Sequence, residues 1–409
     1  MTDTAAGTRI LVARRYFCGR RFHDEGPYAF HLRGGRIAAI TGPGEPGPGG
    51  IVAGAEGHEA VAFLMPGLVE AHCHLFLDGA VLDRAARGAG RRDEPDGMLA
   101  VARANVRLAR AQGITLIRDA GDRHGINHRL RARSQAEPGL VIRSPGPAIC
   151  RQGAYGKFMG TGVATREEAF AAVERLAAEA DDIKIILTGI VDFERMAVSA
   201  GPQFDAATLQ GMVERAHHHG RPVFVHCSGV EGIEAAIAAG VDSIEHGYFM
   251  TSAALKAMAE RGIAWVPTLA PVHFQWAHPE VAGWPAQVVV NIRRILDAQL
   301  AQVALADELG VRLIAGSDAG SPGVVHGQGL LDELALLRGA GLSLPGVLAA
   351  ATSAPREHWG CAWPELRPGS PAEFVTLETS PFEGAHWGTG LRVFTPMAAT
   401  PEANPGSPA

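Results

Sequence analysis

The sequence predicts an α/β protein: a (β/α)8 TIM-type barrel with a small β-sandwich domain built from both chain ends. Three observations carry this. From about residue 62 to 362, short apolar runs alternate with amphipathic stretches of helical period. Those runs are apolar throughout rather than every second residue, as strands covered on both faces are. Short β-like runs punctuated by Gly and Pro recur at both ends of the chain. A doubly wound open sheet shares the alternation, but the Gly-rich fingerprint that usually follows its first strand is missing.

In chain order, Arg9 to Ala13 and Arg36 to Ile40 read as strands, with a Pro/Gly turn cluster at Gly42 to Gly50. Eight barrel strands follow: Ala62 to Val69, Thr115 to Asp119, Leu140 to Arg143, Ile183 to Leu187, Pro222 to His226, Ser243 to His246, Ala264 to Pro267 and Arg312 to Ser317. Helices are predicted at Thr165 to Ala180, Asp205 to His219, Val230 to Ala239, Thr251 to Arg261 and Val288 to Leu309. Two end in a glycine, at His219-Gly220 and Arg261-Gly262, where Gly supplies the left-handed C-cap. Ala372 to Glu378 and Leu391 to Phe394 are short strands. The expected division is residues 1–61 with 363–395 in the small domain and 62–362 in the barrel. Pro396 to Ala409 has little to bury and reads as a disordered tail.

Composition narrows the function. The 409 residues are 47% hydrophobic and 20% charged, ordinary for a globular protein. A net charge of −6 argues against a nucleic-acid partner, and the short Arg91-Arg92 cluster, flanked by acids, reads as a solvated loop. No apolar run is long enough to span a membrane, and the first residues carry no secretory signal. Five widely spaced cysteines (Cys18, Cys73, Cys150, Cys227, Cys361) suit reduced thiols, so a cytoplasmic setting is expected. The partner expected is a small-molecule substrate, and the sequence leaves a homo-oligomer open.

Polar residues sit where barrel strands end, the face on which such folds place chemistry. His72 and His74 follow the first strand, two apart and so on one side of an extended chain. Lys184 lies inside the fourth, His226 closes the fifth, His246 the sixth and Asp318 the eighth. Each has a bland reading. A His-x-His pair arises by chance among 17 histidines, a single histidine is more often core or surface, and Asp318 after Gly316-Ser317 suits a helix N-cap. Lys184 is harder to dismiss, because lysine is almost never fully buried unpaired. His217-His218-His219 at a helix end reads as solvated and suits the helix dipole. Imidazoles with carboxylates suit zinc or a similar divalent ion.

PGLVEAHCH (66–74) resembles the Pro-Gly-(apolar)2-Asp-x-His-x-His signature of the amidohydrolase superfamily. IKIILTG (183–189), VHCSG (225–229), DSIEHG (242–247) and AGSDAG (315–320) resemble its later metal segments. ATSAP (351–355) and RPGSPAEFVTLE (367–378) resemble its closing helix and the strand returning to the small domain. The resemblance is greatest to the prolidase-like subgroup, which hydrolyses dipeptides and N-acyl amino acids. It implies that His72, His74 and Asp318 hold one metal and His226 and His246 a second, with a carboxylated Lys184 bridging. It departs on the substrate side. Glu70 stands where Asp is usual, Gly153-Ala154-Tyr155-Gly156-Lys157 replaces a Gly-Gly-His-Gly-Asp segment, Ser228 replaces a second histidine, and Gly189-Ile190 replaces Gly-Gly.

The expectation is therefore a metal-dependent hydrolase of a C–N bond. Two zinc-like ions would share a hydroxide, with Asp318 as general base and then acid. Tyr155, Lys157 and His326 are candidate substrate contacts. The alternative is a mononuclear deaminase or cyclic amidine hydrolase on the same barrel. Relatives of that kind carry His-x-x-Glu after the fifth strand, but here Gly229 stands three after His226, and Lys184 would have no role. A metal-free binding protein on a decayed barrel would have lost ligands, and all six are present.

Overall fold

The structure is a computed structural model, and it describes residues 8–48, 58–90, 94–135, 139–361, 365–381 and 391–394. Arg91-Arg92 and the tail Pro396 to Ala409 lie outside the described residues. The chain divides into two compact units, Met1–Gly67 with Ala362–Ala409, and Leu68–Cys361.

The smaller unit is a seven-stranded sheet drawn from both chain ends. Thr8–Phe17 pairs in parallel with Glu59–Met65, which pairs antiparallel with Phe374–Leu377, and that with Arg392–Phe394. On the other side, Thr8–Phe17 pairs with Phe22–His23 and Tyr28–Arg33, the last followed by Arg36–Thr41. Leu11 and Ala13 join Phe30, Ile37, Leu64 and Phe374 in one buried cluster, whereas Ile10 and Val12 join Ala29 in another. Alternate residues of one strand thus bury on opposite faces, as its pleat requires.

The larger unit is the barrel. Its first strand is Leu68–Cys73, its second Ile114–Asp119, and the two pair in parallel. The third strand comes in two pieces. Val141–Arg143 pairs with the second strand, and Ala148–Arg151 pairs with the fourth, Ile183–Ile186. Pro145 and Pro147 fall between the pieces and cannot donate to a ladder, which explains the break. The fourth strand pairs with the fifth (Val223–Cys227), the fifth with the sixth (Ser243–His246), and the sixth with the seventh (Ala264–Val266). The eighth is held by single bridges. Leu313 pairs with Trp265 and Ala319 with Cys73, and the Ala71 amide donates to the Ala315 carbonyl. That bond returns the sheet to its first strand.

The run Ala62 to Val69, expected as one strand, is two. Glu59–Met65 belongs to the small unit and Leu68–Cys73 to the barrel. The break falls at Pro66-Gly67, where the chain loses a ladder donor.

The predicted helices are present as Arg166–Ala177, Ala206–His218, Val230–Ala239, Ser252–Arg261 and Ala286–Glu308. Thr165, Asp205 and Thr251 cap three of them with side-chain oxygens. Gly262 caps one C-terminus in the left-handed region. No described helix is long and apolar enough to cross a membrane.

Candidate metal centre

The strand ends bring the sequence-selected residues together. One nitrogen each of His72 and His74 and one Asp318 oxygen lie within 4.8 Å of one another. His74 Nε2 is 3.5 Å and His72 Nε2 3.7 Å from Asp318 Oδ1. The His246 ring is 5.0 Å from that of His72 and 4.5 Å from that of His226, centroid to centroid. All four imidazoles are buried, and burial together with the Lys184 cation lowers each pKa, to about 3 for His74 and His226. They are therefore neutral at pH 7, the form in which imidazole donates a lone pair to a metal.

Three of the four rings have one nitrogen engaged in a hydrogen-bond contact. His72 Nδ1 meets Glu245 Oε2 at 2.5 Å, His246 Nδ1 meets the Thr268 hydroxyl at 2.7 Å, and His226 Nε2 faces the Gly189 carbonyl at 3.4 Å.

Lys184 is 1% exposed, and its ammonium nitrogen has no hydrogen-bond partner. It lies 4.6 Å over the Phe224 ring. Burial lowers its pKa from 10.5 to about 8. A buried amine without a partner is costly, so this position asks for a ligand or a modification. Burial likewise raises Asp318 to about 7.

Beneath the cluster lies a set of charges that sequence reasoning passed over. Arg118, 2% exposed, donates to the Ala71 carbonyl at 2.8 Å and to Glu245 Oε1 at 2.8 Å, and stacks over Phe224. Glu245 thus ties Arg118 to His72, and Ser243 donates to it as well. Glu70 accepts from the His72 and Ser317 amides on one oxygen and from the Ser317 hydroxyl on the other. It thereby holds the ends of the first and eighth strands together. The signal for Arg118 and Glu245 was the one that exposed Lys184: a charge inside an apolar strand.

A cavity of about 280 Å³ opens over the cluster. Its walls are mostly apolar, including Leu77, Phe158, Met159, Ile186, Phe193 and Val272. Tyr155 lines it, 5.3 Å from the His226 ring. The other two candidate substrate contacts do not. Lys157 is exposed, its backbone carbonyl accepting from Arg123, and His326 is buried outside the lining. Lys157 is thus skipped between Tyr155 and Phe158, which both line the cavity. Arg87, not selected from the sequence, does line the cavity, held by the carbonyls of Asp78, Val81 and Gly320. The histidine tract is remote. His217 pairs with Asp242 and His219 with Glu174 at the surface.

Residues 63–401 match the amidohydrolase family. An uncharacterized protein of Mycobacterium tuberculosis is 28% identical over 380 residues, 92% of each chain. Ochratoxinase of Aspergillus niger is 31% identical over 185 residues, 44% of this chain and 37% of that one. The solved structure of a Xaa-Pro dipeptidase with bound methionine superposes with a TM-score of 0.76 at 23% identity, covering 92% of this chain and 95% of that chain. The match spans both the barrel and the strand that returns to the small sheet, and on that basis the chain belongs to the amidohydrolase family and is a hydrolase.

Proposed function

We propose that the cluster is a two-metal hydrolytic centre cleaving an amide-like C–N bond in a small molecule with an apolar portion. The observation that carries this is Lys184: a buried, unpartnered amine facing a cluster of neutral imidazoles. The neutral amine can attack carbon dioxide, forming a carbamate and releasing one proton. The product is a carboxylate, which fits between two cations as an ammonium does not. His72, His74 and Asp318 would hold one ion, His226 and His246 the other, and this imidazole–carboxylate set suits zinc. Metal ions held there supply Lewis acidity toward a carbonyl oxygen and toward water.

Asp318 would take the proton of the attacking water and deliver it to the departing nitrogen. The raised pKa of its carboxyl suits both halves of that exchange. The apolar walls would receive the acyl or amine substituent and exclude water. The similarity to a Xaa-Pro dipeptidase and to ochratoxinase is consistent with a substrate of this kind.

The test is metal analysis with turnover. About two ions per chain are expected, and Lys184→Ala and Asp318→Ala should each abolish hydrolysis of an N-acyl amino acid panel. Near-normal activity in Asp318→Ala would remove the assigned base. One observation favours a single-ion reading: among the described residues, His72, His74 and Asp318 alone form a compact ligand trio. One ion per chain, with ammonia released from an aminated heterocycle, would establish that alternative.

A further inference from the structure

We infer that Thr268 is a positioning residue that fixes which nitrogen of His246 faces the cavity, and that Glu333 holds Thr268 in place. The inference rests on the proposed reading of His246 as a metal ligand.

The Thr268 hydroxyl has one proton, and it goes to the Pro267 carbonyl at 2.8 Å. The contact with His246 Nδ1 at 2.7 Å must then run the other way, with the ring N–H donating and the hydroxyl oxygen accepting. That places the imidazole proton on Nδ1 and leaves the Nε2 lone pair for a metal. The His246 backbone is pinned too. Its carbonyl accepts from Trp265 Nε1 at 3.0 Å and Gln299 Nε2 at 2.6 Å.

Thr268 needs support, because its φ is +49°, a left-handed conformation unfavourable for a β-branched residue. It precedes the helix Leu269–Ala277 but offers no side-chain cap to it. The cap comes instead from a distant helix, Gln328–Gly339. There Glu333, fully buried, accepts from the Leu269 amide on one carboxyl oxygen and from the Ala270 amide on the other, at 3.0 and 2.8 Å. Those bonds satisfy two donors that the helix start leaves open and fix the turn carrying Thr268. A buried carboxyl is expensive, and this one is spent on a backbone turn one residue from the His246 contact.

The experiment compares Thr268→Val, which keeps the shape and loses the oxygen, with Thr268→Ser, which keeps the oxygen. Zinc affinity of the chelator-stripped full chain is measured, and the His246 tautomer is read by ¹⁵N NMR of histidine-labelled, metal-free protein. Thr268→Val should weaken zinc binding by about 10–100-fold, Thr268→Ser should stay near wild type, and metal-free wild type should carry the His246 proton on Nδ1. Glu333→Ala should weaken zinc binding in the same direction while the His72 tautomer stays unchanged. Wild-type zinc affinity in Thr268→Val, or a His246 proton on Nε2, would overturn the inference. A wild-type chain that binds no zinc would overturn the metal reading, while the tautomer measurement still decides the role of Thr268.

Discussion

Glu70 receives three donors on two oxygens, one from the candidate ligand His72 and two from Ser317, which precedes Asp318. Burial raises its pKa from 4.5 to about 7. Between those values the folded chain holds a proton that the unfolded chain has released. Its contribution to stability is therefore complete below pH 4.5 and is lost as pH rises through 7. Glu70→Gln can keep the two amide bonds, and the Ser317 hydroxyl can rotate to accept. The melting temperature of the metal-free variant should accordingly fall less between pH 5 and 8 than that of metal-free wild type. An equal fall in both would remove Glu70 as the source. Arg118→Ala should act differently. It leaves Glu245 charged and buried without its ion partner, and urea unfolding should show a loss of about 3–5 kcal/mol. A loss below about 1 kcal/mol would show that Glu245 does not depend on Arg118 for its compensation. These residues also mark how far the sequence could be read. His72, His74, Lys184, His226, His246 and Asp318 were legible because residue type, strand end and order all agreed. Arg118 and Glu245 carried the same mark as Lys184, a charge in an apolar run, but a partner so far away in sequence cannot be seen from spacing.

At the scale of elements, the barrel strands were legible as apolar runs, and their ends were not. The first strand was misplaced across Pro66-Gly67 because both halves are apolar, and only pairing partners divide them. The third strand was seen in its first piece alone, since Pro145 and Pro147 separate Ala148–Arg151 from it. The eighth is joined by single bridges, so its register depends on close approach. Gly316 supplies that approach. A Cβ there would sit 2.7 Å from a Val266 methyl and 2.8 Å from the His72 amide nitrogen. Gly316→Ala should therefore cost about 1–3 kcal/mol by overpacking and displace His72 as well. Denaturation and zinc titration on the same variant check both parts. An unchanged zinc affinity would show that the strand relaxes away from the centre.

For the whole molecule, composition foresaw reduced thiols, and all five cysteines are free, four of them buried. Thermal unfolding should therefore be the same with and without a thiol reductant, and a drop in melting temperature on reduction would reveal a bond between chains. The apolar cavity was not foreseeable. Several of its wall residues, among them Leu77, Phe158 and Phe193, come from loops after different strands, and loop conformation follows tertiary contacts more than local pattern. Barrel closure has a further consequence. Glu70 and Ser317 meet across 247 residues of chain. His72, His74 and Asp318 come together only when the last strand docks on the first, so an ion held by that trio could not act as a nucleus for folding. Contacts of such long range are made slowly. During synthesis the centre is assembled last, and a chain interrupted before residue 312 would bury most of a barrel yet lack the carboxylate on which its proposed chemistry turns.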